Sequence, residues 1–232
     1  MQIFEVKVTN EYNFTFKYHV AETNKKTFSV DEIIPLIKER TAQESVEVRI
    51  IGGEPLLCDN IVDIIKAIKS IPNVRSIEML TNGSLLKGKT KSLKEAGLDR
   101  ININLDTLKY MKFNEISEGG SLDDIVVGIN EAIDSDFRPV LITTRIMKGF
   151  NQDEILDFLQ LTFQHDYEIV FTEPTEEEAK ACGFEIMTLE EIKRVMPGLR
   201  PIKSADEQEL SITAQKYKYS GSRGKISFSR MK

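Results

Sequence analysis

The regular alternation of strand-like and helix-like segments constrains the fold of this chain more than any other feature. Short runs rich in β-branched residues, such as Val46–Ile51, alternate with longer segments whose apolar residues recur at helical spacing. Ser29 and Glu32 form a capping box before one helix, and Gly97 is placed to end another in the left-handed conformation. Six such repeats predict a parallel sheet wound with right-handed crossovers. The predicted strands are Phe4–Val8, Val46–Ile51, Ser76–Leu80, Ile101–Leu105, Pro139–Met147 and Glu168–Thr172.

The repeat is expected to stop after Thr172. The acidic segment Pro174–Lys180 is predicted to be exposed, and Thr188–Val195 to be a short helix with its own capping box. Ile212–Tyr219 and Lys225–Ser229 predict a hairpin.

Composition excludes several classes of protein. The length of 232 residues suits one large α/β domain or one domain with a tail, and the 41% of hydrophobic residues is enough for a substantial core. The net charge of −6 argues against a nucleic-acid partner, and no apolar run approaches the ~20 residues of a membrane span. Met1–Val8 alternates like a strand and lacks the order of a signal peptide, so we expect a cytoplasmic protein. The two cysteines, Cys58 and Cys182, make neither a disulfide framework nor a Cys-x-x-Cys metal site.

Candidate site residues follow the predicted strands, because ligands of parallel α/β folds lie at the carboxyl ends of strands. Gly52-Gly53-Glu54-Pro55 either lets a ligand approach the backbone, with Glu54 accepting from an amine, or is a tight turn with a solvated glutamate. Thr81-Asn82-Gly83 offers polar groups but is also a common turn sequence.

Two asparagines on the fourth predicted strand, Asn102 and Asn104, share one face because side chains alternate along a strand. They indicate either a polar cavity or a self-satisfied hydrogen-bond network. His19 and His165 are the only histidines, and a lone histidine is more often structural than catalytic.

The order of several motifs resembles the family of molybdenum-cofactor biosynthesis protein A, the radical S-adenosylmethionine (SAM) GTP cyclases. The most specific motifs are Ala-Gly-Leu-Asp-Arg, Asn-x-x-Leu-Asp-Thr-Leu, and Lys-Gly-x-Asn followed by Asp-Glu-Ile. The matching stretches are Val8–Val20, Arg49–Leu57, Leu80–Leu86, Ala96–Leu108, Phe113–Ile129 and Met147–Ile155.

The resemblance implies an α/β fold, an incomplete (β/α)6 TIM-like barrel of the radical SAM type with a short C-terminal α+β extension. Residues 1–173 would form the partial barrel, and residues 174–232 an extension of a helix and a hairpin that packs on it. In the family, the Gly-Gly-Glu-Pro loop holds the SAM amino group, and the basic residue matching Arg49 contacts GTP. The positions predicted to bind cofactor are Tyr18, Gly52, Gly53, Glu54, Pro55, Thr81, Asn82, Asn102 and Asn104.

The chain departs from the family pattern at the cluster loop. The three positions of Cys-x-x-x-Cys-x-x-Cys hold Tyr12, Phe16 and His19, which cannot replace three thiolates around an iron–sulfur cluster. Other family contacts with GTP or SAM are also changed. They fall at Glu11, Asn104, Leu141 and Thr175.

These departures lead to the prediction of no iron–sulfur cluster and at most weak SAM binding. The first hypothesis is a pseudoenzyme without radical SAM activity that binds a small molecule or a protein partner at the barrel mouth. The alternatives are a non-radical enzyme that reuses the mouth and an accessory subunit in molybdenum-cofactor biosynthesis, in a homo- or hetero-oligomer.

Overall fold

The computed structural model describes residues 2–18, 25–42, 44–202 and 215–230, in which strands and helices alternate as the sequence predicts. The strands are β1 (Gln2–Thr9), β2 (Thr15–Phe16), β3 (Val46–Gly52), β4 (Val74–Thr81), β5 (Arg100–Asn104), β6 (Ser117–Glu118), β7 (Val140–Arg145), β8 (Met147–Lys148), β9 (Tyr167–Glu173), β10 (Glu185–Ile186), β11 (Arg200–Pro201), β12 (Gln215–Lys218) and β13 (Lys225–Arg230). The helices are α1 (Val30–Thr41), α2 (Ile61–Lys69), α3 (Thr90–Ala96), α4 (Tyr110–Ile116), α5 (Leu122–Asp134), α6 (Ile155–Gln164), α7 (Glu176–Cys182) and α8 (Leu189–Val195). Short 3-10 turns lie at Pro55–Leu57 and Gln152–Glu154.

The first of two compact units contains the parallel strands β1, β3, β4 and β5, side by side in that order. It comprises Met1–Asn13, Ala21–Ile103 and Asp123–Val140. Side chains on one face, such as Val48, Ile50 and Ile77, are apolar and buried, and α1 and α2 pack against strands of this sheet. Because side chains alternate along a strand, the opposite face carries the charged residues described below.

The second unit comprises Phe14–Val20, Asn104–Leu122 and Leu141–Lys232. Its strands lie in the order β7, β9, β13, β12 and β11. Strand β13 pairs parallel with β9 and antiparallel with β12, so the predicted hairpin is confirmed for its described part. Residues 212–214 of that prediction lie outside the described residues.

The structure corrects the prediction that the repeat stops after Thr172. The acidic residues Glu176 and Glu177 are exposed, as predicted, but they lie in helix α7, which follows β9 and begins at the capping box of Thr175 and Glu178. Strand β13 then returns parallel to β9 and extends the sheet. Helix α4 was also not predicted, because its seven residues are too few for a clear apolar period. The division at 173/174 stays a prediction, although the two compact units divide the chain at other positions.

The predicted helix ends agree with the structure where a specific cap defines them. Ser29 with Glu32, and Thr188 with Glu191, each form a reciprocal capping box. Gly97 ends α3 with a φ of 105°. None of the helices in the described part of the chain has the length and apolar character that a membrane crossing needs.

Candidate functional site

The two glycines after β3 are required by the neighbouring strand. A Cβ on Gly52 would collide with the carbonyl oxygen of Thr9, and a Cβ on Gly53 with that of Glu11. The Gly53 N–H donates to Thr9 O at 2.9 Å, and the Glu54 N–H donates to Glu11 O at 2.6 Å. The sequence suggested that a ligand approaches this backbone closely. In the structure, the end of β1 and the residues just after it take that place.

Glu54 is completely buried, and both oxygens of its carboxylate accept hydrogen bonds from the protein. Oε1 accepts from the Leu56 N–H at 3.0 Å and from Thr81 Oγ1 at 2.7 Å, and Oε2 accepts from the Asn82 N–H at 2.8 Å. Burial raises the pKa of this carboxyl above its ordinary value, against the effect of these donors. Glu54 is thus neither a solvated turn residue nor a free acceptor for an amine; it joins the loops after β3 and β4.

The structure brings the other predicted residues of these two loops close to Glu54. Pro55 is buried at the first position of the 3-10 turn that Glu54 caps. Thr81 Oγ1 also accepts from the Gly83 N–H at 3.0 Å, and the Asn82 side-chain amide donates to Asn13 Oδ1 at 2.9 Å. The predicted positions therefore form one hydrogen-bonded network between neighbouring loops.

Arg49 belongs to a row of alternating charges across the polar face of the first unit. The strand register aligns Glu5, Arg49, Glu78 and Arg100 on adjacent strands. Arg49 Nε contacts Glu78 Oε1 at 2.7 Å, and its Nη1 contacts Glu5 Oε1 at 3.2 Å. Arg100 contacts Glu78 and also Glu47. Two carboxylates and two guanidinium groups give the row a formal charge of zero.

The two asparagines of β5 differ in exposure. Asn102 is buried, and Asn104 is half-buried at the end of the strand. They belong to different compact units, so the polar cavity predicted around them stays a prediction.

A buried charged cluster in the second unit was not predicted as a whole. Tyr18 OH donates to Asp106 Oδ2, and Arg145 Nη1 contacts both Asp106 carboxylate oxygens at 3.2 and 3.4 Å. The Arg145 guanidinium lies 4.8 Å from the centre of the Tyr18 ring, and Glu178 Oε1 lies 3.3 Å from Arg145 Nε. Tyr18 was a predicted cofactor contact, whereas Asp106, Arg145 and Glu178 were missed.

The charges in this cluster stabilise one another. Burial, followed by the Asp106 carboxylate, raises the pKa of Tyr18 well above its ordinary value. Burial opposes the charge on Arg145, but Asp106, Tyr18 and Glu178 raise its pKa above the ordinary value, so it stays protonated. The one available sequence signal was an arginine in the otherwise uncharged strand β7, since a buried charge needs a partner.

The motifs that carry the family resemblance interlock in the second unit. The buried carboxylate of Glu154 accepts from Thr107 Oγ1 at 2.8 Å and from the Leu108 N–H at 2.7 Å. The Asn151 side-chain amide donates to the backbone carbonyls of Asp106 and Arg145, the latter at 2.7 Å. These motif residues hold the loop after β5 against the loop after β7.

Comparison with known proteins decides the family. The model of the Radical SAM superfamily matches residues 15–162. A GTP 3',8-cyclase of Alkaliphilus metalliredigens is 32% identical over 231 residues, which are 96% of this chain and 71% of that protein. The chain belongs to the GTP 3',8-cyclase family. A second family member, from Clostridium perfringens, is 38% identical over 208 residues, 88% of this chain and 63% of the relative. The chain thus spans about two thirds of the length of these GTP 3',8-cyclases.

A solved structure confirms the predicted fold class. Streptococcus suis SuiB bound to S-adenosylmethionine matches 99% of this chain and 50% of its own, with 13% identity and a TM-score of 0.63. The GTP 3',8-cyclase relative described here therefore has the α/β, partial TIM-like barrel fold of the radical SAM type.

The family also contradicts the cofactor prediction of no iron–sulfur cluster and at most weak SAM binding. The matching relatives and structures are radical SAM enzymes, which bind an iron–sulfur cluster and SAM. That prediction was wrong because it relied on three positions of a single loop and set aside the membership that the rest of the chain indicates.

The described side chains of the cluster loop nevertheless do not fit three thiolate ligands. Tyr12 and Phe16 occupy two of the positions, and His19 lies outside the described residues. Phe16 is 4% exposed and packs against Phe14, with ring centres 5.2 Å apart. Across residues 2–18, 25–42, 44–202 and 215–230, no group of three His, Cys, Asp or Glu side chains is placed to hold a metal ion. The side chains described in this loop therefore do not match the iron–sulfur cluster that the family binds.

Proposed function

We propose that this GTP 3',8-cyclase relative binds a small molecule at the carboxyl ends of its strands and does not itself carry out radical cyclisation of GTP. The observation that carries the proposal is the state of the two groups expected to hold the family's ligands. The Arg49 guanidinium is paired with Glu5 and Glu78, and the buried Glu54 carboxylate already accepts three hydrogen bonds, from Leu56, Thr81 and Asn82.

Electrostatics supports the first half of this argument. A triphosphate is attracted by uncompensated positive charge, whereas the row containing Arg49 has a formal charge of zero. If Arg49 turned to a phosphate, it would leave the buried carboxylate of Glu78, which is 3% exposed, with one partner fewer. Leaving a buried acceptor unpaired costs about 1–3 kcal/mol, which would oppose GTP binding.

Burial supports the second half. Because Glu54 is completely buried, an amine ligand could reach its carboxylate only if the loops after β3 and β4, which its hydrogen bonds join, moved apart. In the second unit, the buried Nε of Arg145 has no hydrogen-bond partner among the described residues, and this unsatisfied donor favours a ligand that carries oxygen acceptors, such as an anion.

The activity is tested by assaying GTP cyclisation after anaerobic reconstitution with iron, sulfide and a reductant, with SAM and GTP supplied. The Clostridium perfringens GTP 3',8-cyclase, treated identically, is the positive control. We expect product from the control and none from this chain. Turnover of this chain at a rate comparable with the control would refute the proposal.

Ligand binding is tested separately by thermal shift with a panel of nucleotides, amino acids and organic acids, combined with native mass spectrometry of freshly purified protein. We expect one anionic compound to raise the melting temperature and to remain bound at one per chain. We also expect Arg49→Met to leave the response to GTP unchanged. A strong response to GTP that this variant abolishes would show that Arg49 is a substrate contact after all.

A further inference from the structure

The guanidinium group of Arg145 has two edges, and only one of them is satisfied. Its Nη1 contacts Tyr18 OH at 3.3 Å and both carboxylate oxygens of Asp106, while the Arg145 backbone N–H donates to Asp106 Oδ1 at 2.8 Å. The Tyr18 ring supports the group from one face. These contacts fix the guanidinium in position without using its other edge.

The second edge, formed by Nε and Nη2, makes no hydrogen bond within the described part of the chain. Arg145 is only 7% exposed, and its Nε is completely buried. Buried donors of this kind are nearly always paired in folded proteins, and an arginine edge with two parallel N–H groups matches the two oxygens of a carboxylate or phosphate. The unused edge therefore has the geometry of an oxyanion site.

Glu178 lies beside this edge but does not complete it. Its Oε1 is 3.3 Å from Arg145 Nε, too poorly aligned for a hydrogen bond. The other oxygen, Oε2, accepts from the Thr175 N–H at 2.8 Å in the capping box of α7. One carboxylate thus divides its oxygens between a helix cap and an ion pair, and it cannot offer both of them to Arg145.

We propose that the Nε–Nη2 edge of Arg145 is a binding site for the paired oxygens of a carboxylate or phosphate. When no ligand is bound, Glu178 makes a single contact with this edge. The inference rests on the proposed function, because it names the chemistry of the ligand that the strand ends would take. An incoming oxyanion replaces the single contact from Glu178 with two parallel hydrogen bonds, and Glu178 retains its role in the helix cap.

The experiment follows the Arg145 Nε–H signal in 15N-labelled full-length protein, assigned by through-bond correlation from its backbone. The protein is titrated separately with sodium acetate and with sodium phosphate, while sodium chloride keeps the ionic strength constant. We expect a saturable shift with at least one probe. The probe that binds more tightly identifies the ligand as a carboxylate or as a phosphate.

Two variants test the role of Glu178. Glu178→Gln removes the competing charge but keeps a residue that can form the capping box, so the apparent Kd should fall about threefold or more. Glu177→Gln makes the same charge change at an exposed neighbour on α7 and should leave the Kd unchanged. If the two variants respond alike, Glu178 is not the occupant of this edge.

The site itself is overturned if neither the wild-type protein nor Glu178→Gln shows a saturable shift, or if chloride alone produces the same shift. This result is independent of the cyclisation assay. GTP turnover with a saturable Arg145 shift would refute only the proposed function, and absence of both would refute only the oxyanion site.

Discussion

Truncation of Phe16 to alanine tests whether the loop after β1 is a packed part of the fold. Phe16 is 4% exposed and lies within 6.0 Å, centre to centre, of the rings of Phe14, Tyr18 and Phe113. Burying an aromatic ring of about 150–200 Å² at about 25 cal/mol per Å² gives about 4–5 kcal/mol, and measured Phe→Ala losses in cores are about 3–5 kcal/mol. For a protein of this length, that corresponds to a melting temperature about 6–20 °C lower.

Differential scanning calorimetry of the purified protein measures this loss. Phe163→Ala is the matched control, because Phe163 is 38% exposed and its ring contacts only Tyr219 edge-on among the aromatic contacts of the described residues. We expect the control to lose about 2–3 kcal/mol, in proportion to its smaller buried area. If Phe16→Ala melts within about 2 °C of the wild type, or no lower than the control, the aromatic cluster does not stabilise the loop and the packing argument is refuted.

Three further predictions concern the contacts described above. Gly53→Ala should lower the free energy of unfolding, measured by urea titration, by about 2 kcal/mol or more, because its Cβ would collide with the Glu11 carbonyl. An unchanged free energy of unfolding would mean that the segment after β1 moves aside easily. Arg49→Met should cost about 1–3 kcal/mol in urea titrations and be partly rescued by adding Glu78→Gln, whereas no rescue would show that the pair is not coupled. Hydrogen bonds from two lysines lower the pKa of Asp153 to about 2, so its ionised form stabilises the fold above the ordinary carboxyl pKa, and this contribution is lost as the pH falls from about 4 to about 2. Asp153→Asn should flatten that part of the pH–stability profile, and an equally steep profile would contradict the assignment.

Local sequence signals predicted the elements of the fold well. Apolar periodicity identified the main strands, and specific caps such as Ser29 and Gly97 fixed the ends of helices. The segment around Thr175 was misread because its acidic composition was given more weight than the capping box of Thr175 and Glu178. Composition describes the solvated face of a short helix, whereas the cap determines whether the helix begins.

The contacts of the candidate site depend on neighbours distant in sequence, which a linear pattern does not reveal. Gly52 and Gly53 were correctly singled out as glycine positions. What excludes a side chain there is the backbone of Thr9 and Glu11, at and just after the end of β1 and about forty residues earlier in the chain. Arg145 acquires its partners from three separate segments, represented by Tyr18, Asp106 and Glu178. Only the fold brings these charges together, so their sequence signal was limited to one charged residue in an apolar strand.

Thr107 donates a hydrogen bond to Glu154, and Asn151 donates one to the backbone carbonyl of Arg145. These contacts bear on how relatives of this chain are recognised. The motifs that carry the family resemblance form hydrogen bonds that join two loops. A family member could change its ligand or reaction and still keep these hydrogen bonds, because losing them would lower the stability of the fold whatever the protein binds. Similarity in these motifs therefore indicates a shared fold, and the reaction of a protein has to be inferred from other positions.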